Sequence, residues 1–159
     1  MVYIKRLSFT LFLAFALALS FASVGMAKDK NVVNVWMWEI KDWDPHLCYS
    51  DGARILTNIY ETLVRYEDGK VTPLLATSWE KSDGGKVWTF KLRKGVKFHN
   101  GEDFNAQAVK YSMQRLVKVE GGAAWNFEPI KETKVIDDYT VQFICEDPYP
   151  VDLMMASYY

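Results

Sequence analysis

The stretch that decides the predicted fold is Lys86–Phe104, KVWTFKLRKGVKFHNGEDF. Apolar side chains occupy one parity, at Trp88, Phe90, Leu92, Val96 and Phe98, and polar or charged side chains occupy the other, at Thr89, Lys91, Arg93, Lys97 and His99. This period-2 alternation is typical of a half-buried β-strand. Lys94-Gly95 interrupts the pattern and indicates a turn or bulge. We therefore predict a pair of strands whose aromatic side chains face the core and whose cations face solvent.

Basic residues interleaved with aromatic ones are also typical of nucleic-acid-binding surfaces, which gives the same stretch a functional alternative. The chain of 159 residues carries 19 Lys and Arg against 20 Asp and Glu, a formal net charge of −1. This balance provides no global positive field to hold a polyanion. We therefore predict no nucleic-acid partner and interpret the cations as a solvated strand face.

Residues 1–27 have the pattern of a secretory signal peptide. Lys5 and Arg6 supply a positive start, residues 7–22 form an uncharged apolar run, and Gly25 and Ala27 provide a small-residue cleavage site. A transmembrane anchor is the alternative, but the apolar run is shorter than the roughly 20 residues that a span requires. We predict export to the periplasm, and no Cys follows the cleavage site to suggest a lipoprotein.

The exported part contains two cysteines, Cys48 and Cys145. In an oxidising compartment they could pair, or they could remain two free, buried thiols. The sequence leaves both interpretations open and slightly favours free thiols. Neither lies in a Cys-x-x-Cys pair or has the spacing of a metal site.

The rest of the chain alternates strand-like and helix-like segments. The predicted elements are a buried strand at 32–38, a loop at 39–52, a helix at 53–66, a turn at 67–70, a connection and strand within 72–82 and a turn at 83–86. Asn105 is the predicted N-cap of a helix that buries Val109, Met113 and Leu116. A flexible loop at 120–126, a hairpin at 134–145 with its turn at Asp137-Asp138, and a helix entered through Pro148 and Pro150 follow.

These motifs, in this order, resemble the family 5 extracellular solute-binding proteins, the peptide- and nickel-type substrate-binding subunits of ABC importers. The resemblance runs through Asp44-Pro45, the block 60–116 and the segment 137–150. The middle block is the specific part, with Tyr60-Glu61, Trp88-Thr89-Phe90 and Phe98-His99 among its matching positions. Trp43 is a small departure, because the family usually has a small or aliphatic residue there.

The resemblance implies a periplasmic-binding-protein-like α/β fold of type II, with two lobes joined by a hinge and an extra subdomain. It implies that residues 28–159 are the N-terminal portion of the solute-binding domain, namely the start of lobe one plus that subdomain. Because known members are much longer and the chain ends without a helix C-cap, we expect a truncated reading frame that lacks lobe two. We also expect such a fragment to bind ligand weakly and to fold poorly by itself.

The function that the resemblance implies is capture of a di- or oligopeptide between the lobes and delivery to the transmembrane permease subunits by a monomeric protein. Nickel chelates and oligosaccharides are alternative ligands of the same fold. No catalytic residue and no cofactor are expected, because no bond is made or broken. A secreted hydrolase is the alternative of a different class, but the sequence shows no Gly-x-Ser-x-Gly or His-Glu-x-x-His motif.

The candidate ligand contacts follow from similar proteins, which use the end of the first strand and the loop after it. These residues are Trp38, Glu39, Cys48, Tyr49, Ser50 and Asp51, with Trp125 on the Gly-rich loop as a further candidate. Glu39 or Asp51 would pair with a ligand amine by a charge-assisted hydrogen bond. The alternatives are solvated acids for those two residues and core packing for Trp38.

Asp42, Asp44 and His46 are candidate metal ligands, since carboxylates and an imidazole can hold a divalent cation. Their spacing matches no dedicated metal motif, so we predict no metal here.

Overall fold

The computed structural model describes residues 42–48, 53–119 and 121–157. Over these ranges it is a mixed α/β fold. Its elements are α1 Ala53–Leu56, β1 Val64–Glu67, β2 Lys70–Pro73, β3 Ala76–Ser82, β4 Val87–Leu92, α2 Ala106–Val119, β5 Ile130–Asp137, β6 Thr140–Cys145 and α3 Val151–Ser157, with short 3₁₀ helices at Asp83–Gly85 and Ala124–Phe127. The predicted signal peptide and the predicted first strand at 32–38 lie outside the described residues.

The centre of the fold is a four-stranded antiparallel sheet in the order β3-β4-β6-β5. Trp88 pairs with Phe143 and Phe90 with Val141, which places the alternating apolar residues of β4 and β6 side by side on one face. The Phe90 ring lies completely buried between Trp79, stacked at 6.0 Å, and Phe143, edge-on at 5.5 Å. Burial of each such side chain contributes about 1.5–3 kcal/mol. The strand predicted from the alternation of Trp88, Phe90 and Leu92 is confirmed.

The second strand predicted in the opening stretch does not form. Beyond Gly95, at φ +74°, Lys97 makes a single isolated bridge to Asp103. Phe98 was expected on the core face, but 46% of its surface is exposed and its ring packs edge-on against the buried Phe104 at 6.0 Å. The cause is a tight turn: the Gly101 N–H donates to the Phe98 carbonyl at 2.9 Å, which reverses the chain before a ladder can extend.

The predicted helix at 53–66 is also wrong for most of its length. The helix ends at Leu56, and Val64–Glu67 pairs with β2 as a hairpin around Asp68-Gly69. Both turn residues have positive φ, +50° and +79°, which is the conformation that closes a two-residue hairpin. Upstream, the Leu63 carbonyl accepts a hydrogen bond from the Ala76 N–H at 2.7 Å. Tertiary pairing thus overrides the helical spacing of the apolar residues.

The C-terminal half follows the predictions more closely. Asn105 caps α2, since its Oδ1 accepts the Ala108 N–H at 3.0 Å, and Val109, Met113 and Leu116 are buried against β5 and β6. The predicted hairpin is confirmed as β5–β6, with its turn one residue later at Asp138-Tyr139.

The last helix and the segment before β5 were also predicted from the sequence. α3 begins at Val151, after Pro150, as predicted. The segment predicted as a flexible loop instead contains the start of the 3₁₀ helix Ala124–Phe127, in which Asn126 and Phe127 are buried. Among the described residues, no helix has the length and apolar character that crossing a membrane requires.

Candidate ligand-binding site

The segment Asp42–Cys48, which we call the docked turn, is shaped by its own carboxylates. Asp42 Oδ1 accepts the Asp44 N–H at 2.8 Å, and Asp44 Oδ1 accepts the His46 N–H at 3.0 Å. The N–H groups of Leu47 and Cys48 both donate to the Asp44 carbonyl, at 3.1 and 3.0 Å. Asx turns of this kind, with Pro45 fixing one φ angle, define a compact reversal within the predicted loop 39–52, and this reversal ends at the candidate contact Cys48.

Arg115 on α2 clamps the docked turn. Its Nη1 donates to Asp44 Oδ1 at 2.9 Å, its Nη2 donates to Asp44 Oδ2, and Nη1 also lies 2.6 Å from His46 Nδ1. A guanidinium has no acceptor, so His46 Nδ1 accepts this hydrogen bond and the ring proton is on Nε2. That proton is donated to Ser112 Oγ at 3.1 Å. The docked turn is therefore held on α2 through a two-pronged ion pair and a neutral imidazole.

The charges of this cluster shift one another's protonation. The hydrogen bond from Arg115 holds the pKa of Asp44 below its usual value, and Asp44 in return raises the pKa of Arg115. Burial lowers the pKa of His46, and the nearby Arg115 charge lowers it further. Asp44 is therefore a carboxylate and His46 a neutral imidazole at neutral pH.

Gly121 and Gly122 also pack closely against the docked turn. A Cβ on Gly122 would lie 2.2 Å from the His46 carbonyl oxygen, and one on Gly121 would lie 2.6 Å from the Leu47 side chain. Gly122 also has φ +57°, which favours glycine. The docked turn thus lies between α2 and this glycine pair, at a closeness that a side chain would prevent.

The structure places two of the predicted ligand contacts. Cys48 ends the docked turn and is half-buried, and Trp125 is 70% exposed on the 3₁₀ helix that follows the glycine pair. These two residues therefore lie on segments that pack against each other. The other candidates, Trp38, Glu39, Tyr49, Ser50 and Asp51, lie outside the described residues.

Sequence reasoning missed Arg115 and Ser112. The available signal was the helix pattern, which puts a cation and a hydroxyl beside the buried residues Met113 and Leu116 rather than on the far face. An acid-rich turn containing a histidine needs such partners to be buried, but their position 66 to 71 residues away along the chain hid the pairing.

The donors considered for a metal are engaged by protein groups. Both carboxylate oxygens of Asp44 face Arg115, and both ring nitrogens of His46 have hydrogen-bond partners. Within the described ranges, no three His, Cys, Asp or Glu residues are grouped so that they could hold a metal ion. Cys48 and Cys145 are free thiols, and burial raises the pKa of Cys145.

A groove of about 300 Å³ lies elsewhere, along the start of β5 and the chain after β6. Two of its charged residues, Lys131 and Glu146, pair with each other at 3.3 Å. It contains none of the predicted ligand contacts.

Comparison with known proteins identifies the family of the chain. Residues 70–159 match the family described as bacterial extracellular solute-binding proteins, family 5 Middle. The nickel-binding periplasmic protein of Escherichia coli is 38% identical over 117 residues, which is 73% of this chain and 22% of that protein. The dipeptide-binding protein of Escherichia coli is 40% identical over 121 residues, covering 61% of this chain and 23% of that protein.

A solved structure supports the same assignment. NikA from Brucella suis, in complex with Fe(III)-EDTA, matches with a TM-score of 0.64 and 38% identity over 71% of this chain and 24% of that chain. The chain spans about a quarter of the length of these relatives, and its described fold is part of a type II periplasmic binding protein. The chain belongs to the family 5 bacterial extracellular solute-binding proteins.

Proposed function

We propose that the protein is the periplasmic substrate-binding component of an ABC importer and that it captures di- or oligopeptides. The observation that carries this proposal is the family match over residues 70–159, together with 40% identity to a dipeptide-binding protein. The signal peptide predicted at residues 1–27 supports a periplasmic location. In this proposal two lobes close around the ligand by hinge bending, and the closed form docks on the permease. No bond is made or broken.

The docked turn supports a binding role for Cys48. It ends at this residue and is held on α2, which suits a side chain that must meet a ligand in one geometry. Asp51 or Glu39 would receive the peptide ammonium, and the exposed indole of Trp125 would cover an apolar side chain.

A nickel chelate is the second candidate ligand. The nickel-binding relative is 38% identical and matches 73% of this chain, more than the dipeptide-binding relative covers. The solved relative with a TM-score of 0.64 holds a metal chelate, Fe(III)-EDTA. A chelated metal would be cargo and would need no metal-binding cluster among the protein's own side chains.

Native mass spectrometry of the protein, expressed to the periplasm from its complete reading frame, tests the proposal. We expect a co-purified mass that corresponds to a peptide, and calorimetric binding of Ala-Ala or tri-alanine without any cleavage product. A metal complex or sugar in place of a peptide, with binding of Ni²⁺ plus L-histidine but not of the peptides, would contradict the peptide assignment. Release of free alanine would contradict the transport function.

A further inference from the structure

We propose that Arg115 and His46 are positioning residues that set the placement of the predicted ligand contact Cys48 by fixing the docked turn on α2. This inference rests on the proposed function, because it assigns ligand contact to Cys48. Neither side chain is proposed to touch ligand. Their role is to hold the backbone that ends at Cys48.

Arg115 orients the docked turn on α2 and adds little to the free energy of unfolding. The Asp44–Arg115 pair keeps 22% and 36% of its side-chain surfaces exposed, and solvent screening leaves such an ion pair only a small contribution to stability. The two-pronged contact nevertheless fixes the angle between carboxylate and guanidinium, which a single contact does not. Removing Arg115 should therefore change the placement of the turn more than the free energy of unfolding.

His46 fixes the position of the docked turn along α2. Its ring is 7% exposed and uses both nitrogens, one toward Arg115 and one toward Ser112, which stand three residues apart on the same side of α2. A ring held at both ends cannot slide along the helix. Because Gly122 closes the opposite side at the His46 carbonyl, the turn is fixed from two directions.

The polar contacts with α2 matter because they are the hydrogen bonds that tie the docked turn to a distant part of the described chain. In the described part of the chain, residues 42–48 belong to no helix or strand, and the hydrogen bonds that reach them from distant residues come from α2. A loop that is free before binding must be ordered by the ligand, which lowers affinity. Preorganisation by Arg115 and His46 removes that cost.

The test uses two variants of Arg115 and one of His46 in the protein expressed from its complete reading frame. Arg115→Met removes the charge and the fork, Arg115→Lys keeps the charge but loses the fork, and His46→Gln removes the ring. Lys118→Met is the matched control, since it deletes one cation from an exposed position on the same helix. The rate at which a maleimide modifies Cys48, measured by peptide mapping, reports the turn, and the buried Cys145 is the internal reference.

For Arg115→Met we expect Cys48 to react several-fold faster and the calorimetric affinity for Ala-Ala to fall about tenfold. His46→Gln should act in the same direction, and Arg115→Lys should lie between Arg115→Met and the wild type. The melting temperature should change no more than in Lys118→Met. This split between local reactivity and global stability separates positioning from a merely structural role.

The outcomes also separate this inference from the proposed function. If the wild type binds Ala-Ala and Arg115→Met binds it equally well, positioning is wrong and the transport function stands. If the wild type binds neither Ala-Ala nor Ni²⁺ plus L-histidine, the proposed function fails. In that case an unchanged Cys48 rate in Arg115→Met would still overturn positioning, and a faster rate would support the clamp on the turn.

Discussion

The β4–β6 core and the docked turn are built by opposite means. In the core, Phe90 and Phe143 are completely buried and contact each other through apolar rings. In the docked turn, Asp44 and His46 meet Arg115 through charge and hydrogen bonds, at a sequence separation of about seventy residues. Apolar burial therefore dominates the stability of the core, whereas directional polar contacts fix where the docked turn lies on α2. Helix α2 serves both, because Val109 and Met113 enter the core and Ser112 and Arg115 hold the turn.

The largest loss of stability should come from a cavity in the β4–β6 core. Phe90→Ala removes a ring with no exposed surface and leaves a cavity between Trp79 and Phe143. We expect the free energy of unfolding, measured by urea denaturation, to fall by about 3–5 kcal/mol.

Val117→Ala is the control for this prediction, because it also shortens an apolar side chain but at a position that is 56% exposed on α2. Its expected effect stays within about 0.5 kcal/mol. A Phe90→Ala protein as stable as the control would mean that the β4–β6 core does not dominate stability.

The next largest effect concerns Gly122, which packs against the docked turn. Gly122→Ala places a Cβ at 2.2 Å from the His46 carbonyl and strains a backbone at φ +57°, so the turn must move. We expect a loss of about 2–3 kcal/mol in urea denaturation and faster maleimide modification of Cys48.

Gly69→Ala separates the two causes in this prediction. Gly69 has φ +79° but open space around its Cβ position, so it reports the backbone cost alone, about 1 kcal/mol. Its Cys48 rate should equal that of the wild type. Equal losses and equal rates in both variants would show that the contact with His46 carries no weight.

A smaller effect is expected where the two regions share α2. Asn105→Ala removes the Oδ1 that accepts the Ala108 N–H, and losing such an N-cap costs about 1 kcal/mol. Asn105→Asp retains the acceptor and should be nearly neutral or slightly stabilising at the helix N-terminus. Urea denaturation of the two variants, with Cys48 modification alongside, checks this. Equal stability of both variants would be evidence against the cap.

The same contrast explains what the sequence could and could not predict. The core was predictable because period-2 alternation in Trp88, Phe90 and Leu92 is a local signal. The helix over 53–66 was predicted wrongly because Val64 and Tyr66 pair with a neighbouring strand, which local spacing does not reveal. The clamp of Arg115 on Asp44 was missed for the same reason, since the partners are distant in the chain. The family resemblance, carried by dense local motifs, was confirmed.

The smallest expected effect is a dependence of stability on pH. It tests the contribution of His46 in the docked turn. Burial and Arg115 hold the pKa of His46 below the ordinary 6.5, so the fold favours the neutral ring. Below pH 6.5 the unfolded chain therefore binds more protons at this residue, and its contribution to stability, fully present above that pH, is lost as the pH falls toward the folded pKa. A proton on Nδ1 would face the Arg115 guanidinium, and the attraction of Asp44 offsets this repulsion in part.

Urea denaturation between about pH 8 and pH 5, compared between the wild type and His46→Gln, measures this contribution. We expect the stability of the wild type to decline more steeply on acidification, with a matching rise in Cys48 modification after correction for the reagent's own pH dependence. His99→Gln is the control variant, because it also removes an imidazole but from an exposed position. The pKa of Asp44 is also lowered, but its contribution is lost only below 3.8, outside this pH range. Identical slopes in the wild type and His46→Gln would therefore mean that the buried imidazole does not couple the turn to α2, and the docked turn would then depend on the Asp44–Arg115 pair alone.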